Sequence, residues 1–252
     1  MSQPAPKVET RRTEVATRDG VCPTWVMRPS GAAALPGAIL YMDGVGMRPA
    51  ILALGERLAA AGYHVLVPDL YYRSGPYEPM DAKAMFSDPA KRAELTERFM
   101  SKATLDNMMS DTAALLRELA ARPDVRQPKV GVVGYCMGGR LALCAAAHFP
   151  DRVAAAAAFH PGRVVTDAPD SPHRFVPAIK ARVYVAGAIE DPSFSDAQKA
   201  ELERALQTAG VDHQVVTYPA RHGFVPADTG THDPACAERH WQVLLQLFGE
   251  TL

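Results

Sequence analysis

The stretch Gly134-Tyr135-Cys136-Met137-Gly138-Gly139 is where residue types and spacing point most directly to chemistry. It follows the apolar run Val130-Gly-Val-Val and opens a run of helix formers, Arg140–Ala147. The pattern is G-x-nucleophile-x-G at a strand-to-helix turn, with cysteine where serine is usual. Such a turn is sharp and strained, and glycines two positions either side leave room for the neighbouring backbone. It would lift the Cys136 sulfur above the sheet edge and aim the Met137 amide at a developing oxyanion. The helix N-terminus beside it favours a thiolate. A dinucleotide loop needs G-x-G-x-x-G after the first strand, and a P-loop ends in Gly-Lys-Ser/Thr; neither is present here. The plain alternative is a small buried cysteine in a glycine-rich turn.

A nucleophile needs a base, and the base an orienter, expected in the chain order nucleophile, acid, histidine. Ala186-Gly-Ala-Ile-Glu190-Asp191-Pro-Ser follows an apolar run and supplies the acid. Asp191 is preferred because Pro192 stiffens its turn, with Glu190 as the alternative. Tyr218-Pro-Ala-Arg-His222-Gly-Phe follows the last apolar run and supplies the histidine. His160 also lies at a strand end but precedes the acid, so it is expected in the pocket wall, contacting substrate. His148, His213, His232 and His240 show no metal-type pairing and are expected on the surface or on helices. In Tyr41-Met42-Asp43-Gly44-Val45-Gly46 the glycines let backbone approach a ligand closely, so Gly44 is expected to give a second oxyanion amide. Asp43 either faces the cleft or caps a turn.

These loops need strands to carry them. The short apolar runs are Ala38–Met42, Tyr63–Pro68, Lys129–Tyr135, Val153–Phe159, Ala181–Ala186 and His213–Tyr218. Helical patterns at about 49–61, 95–122, 138–148, 195–209 and 234–249 separate them. Alternation of this kind predicts βα units around a mostly parallel sheet with helices on both faces. Gly62, Gly210 and Gly249 stand where helix C-caps are expected. Thr13–Thr17 and Val21–Arg28, hinged at Asp19-Gly20, read as an antiparallel N-terminal hairpin. Residues 1–11 read as a loose terminus and 12–252 as one domain. The stretch from Ser74 to Leu95 is the least regular and is expected to form a flap.

Composition narrows the partners. Lys plus Arg is 27 and Asp plus Glu is 28, giving a net charge of −1 with no electrostatic footprint for nucleic acid or an anionic membrane. No apolar run reaches the ~18 residues of a bilayer span, and Met-Ser-Gln-Pro-Ala-Pro-Lys carries no apolar signal core. Cys22, Cys136, Cys144 and Cys236 lack metal-type spacing and are few for a disulfide scaffold. A reduced, cytoplasmic setting is the expectation.

The Gly-Tyr-Cys-Met-Gly-Gly elbow, the Asp191 loop, His222-Gly-Phe and Val67-Pro-Asp-Leu-Tyr-Tyr-Arg73 together resemble the dienelactone hydrolase family, from about residue 20 onward. The resemblance implies an α/β-hydrolase fold in which Cys136 is the nucleophile, His222 the base and Asp191 its orienter. The family glutamate that interacts with the cysteine corresponds to Asp43, one methylene shorter. Members that cleave dienelactone hold its carboxylate with two arginines; Arg73 matches the first, and Pro226 stands at the second position. The expectation is a hydrolase of small esters or lactones, acting through a cysteine acyl-enzyme without metal or organic cofactor. A monomer or weak homo-oligomer is expected, with a preference for neutral or weakly anionic substrates. The rivals are a non-catalytic ligand-binding member of the fold and an acyltransferase or thioesterase.

Overall fold

The hairpin at the start of the chain is tighter and longer than the sequence pattern suggests. In the computed structural model, which describes residues 6–252 apart from the side chains of residues 86, 127 and 128, β1 is Val8–Thr17 and β2 is Gly20–Pro29. Thr17 faces Gly20 across a two-residue turn, and Gly20 takes a φ of 137° that a side chain would resist. Val8 pairs with Pro29, so Val8–Arg11 belong to the sheet rather than to a loose terminus. Residues 1–5 lie outside the described residues.

The remaining elements follow in βα order. They are β3 (Leu35–Tyr41), α1 (Pro49–Ala60), β4 (His64–Pro68), α2 (Ala82–Ser87), α3 (Pro89–Arg98), α4 (Leu105–Ala120) and β5 (Val125–Tyr135). Then come α5 (Met137–His148), β6 (Val153–Phe159), β7 (Arg182–Ala188), α6 (Asp196–Thr208), β8 (His213–Tyr218) and α7 (Pro234–Thr251). One eight-stranded sheet runs β1-β2-β4-β3-β5-β6-β7-β8, parallel from β4 onward, with β2 antiparallel to β4. Apart from His64 at the start of β4 and the polar residues 126, 127 and 129 early in β5, the central strands are apolar, because helices cover both faces. On one side α1 meets α7, where Arg57 pairs with Glu238 and stacks on Trp241; on the other, α4 packs against α5. β6 is Val-Ala-Ala-Ala-Ala-Ala-Phe, and its small side chains let α5 and α7 come close to the sheet. Gly131 in β5 does the same for Phe248, whose ring lies 2.6 Å from where a Cβ would stand.

Two expectations are corrected. The single helix at 95–122 is broken between α3 and α4, because Thr104 leaves the helical region and its hydroxyl accepts the Asn107 amide as an N-cap. Gly249 lies inside α7, not past its end, whereas Gly62 and Gly210 do follow helix ends with φ of 102° and 69°. The expected flap is more regular than its sequence suggests, since Asp81 and Asp88 cap α2 and α3 in succession.

His240 of α7 is fully buried, with its ring edge-on to Phe159 at 4.4 Å and Nε2 3.0 Å from the Tyr135 hydroxyl. Burial pushes its pKa down to about 3. Above about pH 6.5 both the folded and the unfolded chain hold this ring neutral; below it the unfolded chain takes a proton that the fold refuses. Stability is therefore lost as pH falls from 6.5 toward the folded value. His240→Phe should reduce the pH dependence of the unfolding free energy by about one proton, or about 1.4 kcal/mol per pH unit, between about pH 4 and 6. Urea unfolding of both chains across that interval measures it, and equal slopes would dismiss the assignment.

Candidate active site

A single residue, Cys136, separates β5 from α5 and holds φ at 53° and ψ at −113°. A non-glycine residue in that region stores on the order of 1–3 kcal/mol. Backbone bonds hold it there. The Cys136 amide donates to the Phe159 carbonyl at 3.1 Å, and the Cys136 carbonyl accepts the Gly139 amide at 3.1 Å. A Cβ on Gly134 would lie 2.0 Å from the Gly138 oxygen, and one on Gly138 would lie 2.4 Å from the Tyr41 oxygen. Those are main-chain atoms that cannot swing aside, so the glycine spacing follows from packing against β3 as well as from the turn. Cys136 is partly exposed, while Cys22, Cys144 and Cys236 are buried free thiols. Burial pushes both Cys22 and Cys144 up to about 12.

The loops after β7 and β8 converge on this thiol. His222 Nδ1 lies 2.7 Å from Asp191 Oδ2, and Asp191 Oδ1 accepts from the Ser193 amide at 2.9 Å and hydroxyl at 2.6 Å. Nδ1 is thereby committed, leaving Nε2 open, and the Cys136 side chain is near enough to act on the imidazole. Burial alone would lower the imidazole. The charge on Cys136 and the hydrogen bond to Asp191 outweigh it and raise His222 to about 10. Asp191 is held below the usual carboxylate range, where its bonds to His222 and Ser193 overcome the penalty of burial. Glu190 points to solvent 3.8 Å from Arg221, so of the two candidate acids only Asp191 meets the histidine. Ser193, two residues past the acid, was not marked by any sequence pattern.

The remaining expected site residues divide. The Met137 amide opens α5 beside Cys136, and Gly44 lies in the loop after β3, its carbonyl accepting from Tyr71 Oη at 2.7 Å. Tyr71, Tyr77 and Phe99 form an aromatic roof there, with ring centroids 5.1–6.2 Å apart. Met100 comes within 3.7 Å of the Cβ position of Gly44. Asp43 does not face the cleft as a free acid. It is 4% exposed, and Arg48 holds both its oxygens at 2.7 and 2.8 Å. Arg48 went unmarked in the sequence, and its other partner, Asp228 at 2.6 Å, is 180 residues away.

Arg73 and His160 are corrections. Arg73 was expected to grip substrate, but its guanidinium is bidentate with Asp111 at 2.6 and 2.8 Å and also meets Asp19 at 2.7 Å. Asp111 is fully buried on α4 and needs a counter-charge, so Arg73 pins the hairpin to that helix. His160 was expected in the pocket wall; it is fully buried behind His222, with ring centroids 5.2 Å apart. Burial and the nearby His222 hold its pKa well below the usual value, so it sits neutral there. Among the described residues, no group of three or more His, Cys, Asp or Glu is placed to hold a metal ion, and no helix is long and apolar enough to cross a membrane.

The His222 ring should still be an imidazolium at pH 8, visible in the nitrogen shifts of its imidazole by NMR. Asp191→Asn removes the charge at Nδ1 and should bring the midpoint down from about 10 by roughly 1–3 units. Glu190→Gln should leave it in place. The opposite pattern would move the acid by one residue.

The chain resembles known proteins over most of its length. The sequence profile of the dienelactone hydrolase family matches residues 22–252. A carboxymethylenebutenolidase of Rhodococcus opacus is 28% identical over 219 residues, 83% of this chain and 79% of its own. A provisionally named carboxymethylenebutenolidase of Synechocystis sp. is 27% identical over 235 residues, 89% of each chain. A crystal structure from Klebsiella pneumoniae, provisionally named a dienelactone hydrolase, superposes with a TM-score of 0.85 at 25% identity, covering 97% of this chain and 99% of that one. With the α/β-hydrolase fold, the cysteine elbow and a matched length of this extent, the chain belongs to the dienelactone hydrolase family and is a hydrolase.

Proposed function

We propose that the chain hydrolyses small neutral or weakly anionic esters or lactones through a thioester on Cys136. The observation that supports this best is the continuous line from the strained Cys136 through His222 to Asp191, with the 2.7 Å contact between the last two. In the first half-reaction the Cys136 thiolate attacks the substrate carbonyl carbon and a C–S bond forms. The oxyanion lies between the amides of Met137 and Gly44. In the loop after β3 the Val45 and Gly46 amides are already spent on Asp43, which leaves that of Gly44 for a ligand among the described residues. Each such donor is worth about 10²–10³ in rate. As the intermediate collapses the C–O bond breaks, and His222 Nε2 gives its proton to the leaving alkoxide; in a lactone that oxygen stays tethered to the acyl group.

In the second half-reaction the neutral His222 takes a proton from water, and the resulting hydroxide attacks the thioester. The C–S bond breaks, the acid departs, and thiolate and imidazolium are restored. Asp191 keeps Nδ1 protonated throughout, so Nε2 is always the nitrogen that exchanges the proton. Substrate class follows from the surroundings. Arg73 is consumed by Asp111 and Asp19, Pro226 offers no cation, and the roof is aromatic. A carboxylate therefore finds no free arginine at either position.

Cys136→Ala should abolish turnover of an activated aryl ester. One equivalent of iodoacetamide should label Cys136 before the three buried thiols, checked by peptide mass spectrometry. A slow ester should leave a single acyl adduct on the wild type and none on Cys136→Ala. Retained activity in the alanine variant would sink the cysteine mechanism. Arg73→Ala should change the ratio of kcat/KM for matched acid and methyl ester substrates by less than about twofold, on the view that this arginine does not grip substrate.

A further inference from the structure

A cavity of about 530 Å³ opens between the hairpin, the start of α1 and the segment after β4. Its walls carry the rings of Trp25, Tyr72 and Tyr77 and the side chain of Leu52. Cys136, Asp191 and His222 do not line it. Tyr77 also belongs to the aromatic roof over the Gly44 loop, so the cavity and the Cys136 site share a wall without sharing a space. The volume is that of a small-molecule site.

Three charged side chains reach this cavity, and they are not equally free. Arg48 donates to Asp43 at 2.7 and 2.8 Å, to Asp228 at 2.6 and 3.1 Å and to the Gly46 carbonyl at 3.1 Å, so every N–H of its guanidinium is engaged. Arg12 of β1 is exposed, with its guanidinium carbon 5.5 Å from the Trp25 ring centroid, and it forms no ion pair among the described residues. Asp69 follows β4. Its Oδ1 accepts from the Tyr71 amide at 3.1 Å and the Tyr77 hydroxyl at 2.8 Å, while its Oδ2 accepts from no described group. Burial pushes this carboxyl above its ordinary value, although both bonds and the more distant charge of Arg12 oppose the rise. A carboxylate held among rings with no cation in contact is costly to keep ionised, and a cation at Oδ2 would relieve that cost.

We propose that this cavity binds a small primary ammonium with an aryl or alkyl body, the ammonium on Asp69 Oδ2 and the body against Trp25, Tyr72 and Tyr77. The ammonium brings donors to an oxygen that has none, and the ring faces attract its positive charge. The body leaves water for an apolar wall. Arg12 already rests a cation on Trp25, and its exposed, flexible stem can swing aside when a ligand enters. An anion would meet Asp69 as a like charge and have only Arg12 to hold it. The site is separate from Cys136 and stands whether or not the cysteine mechanism does.

Phenethylammonium, 2-phenylethanol and 3-phenylpropionate share a phenyl ring and differ in charge, so titrating each into the full chain tests the assignment. Amide and indole N–H signals are followed by NMR. Phenethylammonium should move the Trp25 indole signal and bind about tenfold or more tightly than the alcohol, and the carboxylate should not bind. Asp69→Asn keeps an acceptor for Tyr71 and Tyr77 at Oδ1 and should erase that preference. Arg12→Ala removes the competing cation and should bind phenethylammonium at least as tightly as the wild type. Leu52→Trp fills the cavity from α1 and should abolish binding, which locates the ligand even if the Asp69 variant does not fold. Absence of binding, equal affinity for the three probes, or a preference for the carboxylate would overturn the proposal. So would a cation preference that survives Asp69→Asn, or binding that leaves Trp25 unmoved and persists in Leu52→Trp.

Discussion

The site depends on one strained residue. Cys136 can hold its backbone at φ 53° and ψ −113° only because Gly134 lets the Gly138 carbonyl come where a Cβ would stand and Gly138 lets β3 do the same. That close approach fixes the height of the sulfur above the sheet, the start of α5 and the position of the loop after β3. Once these are set, the separations between the thiol, the Met137 amide and the Gly44 loop are no longer independent. The strain is carried by the bonds from Cys136 to Phe159 and Gly139 and by the burial of β5 and β6 beneath it. A loosened β5–β6 pairing would let the turn relax and lower the Cys136 sulfur toward the sheet.

Around that point the charges divide into pairs that serve the fold and pairs that serve the site. Arg73 with Asp111 and Asp19 belongs to the first group, since it joins the hairpin, the segment after β4 and α4. His222 with Asp191 belongs to the second. Arg48 with Asp43 and Asp228 belongs to both, because its partners stand on the two loops that border the elbow. Replacing the short side chain at Asp43 by a longer acid would crowd a guanidinium whose donors are all taken.

The elbow, the hairpin and most strands were legible in the sequence because each carries a local pattern: glycine spacing, a turn dipeptide, or an apolar run of strand length. Asp191 and His222 were picked out by their order after the elbow, and the structure brings the two side chains together. Arg73 was misread because its role depends on Asp111, a buried acid on a helix whose need for a cation leaves no mark in a linear pattern. Arg48 was missed for the same reason, as its second partner lies 180 residues away. His160 falls at a strand end where cleft residues are expected, yet a left-handed φ of 38° turns it under His222 instead of into solvent. The break between α3 and α4 was hidden because apolar spacing continues across it, while a threonine cap interrupts the helix.

The Arg48 bridge has a consequence for how the protein comes into being. Its partners are Asp43, early in the chain, and Asp228, near the end, with the elbow and the acid loop between them. Contacts of such sequence separation form late, because the long intervening segment must be ordered before they contribute. As the chain leaves the ribosome, the first six strands can pair and Cys136 can take its turn while the loop after β8 and its clamp have yet to be made. On the mechanism proposed above, the thiol then stands without His222 and awaits its partner. Reactivity and completeness arrive together, when the final loop closes and α7 seals the sheet.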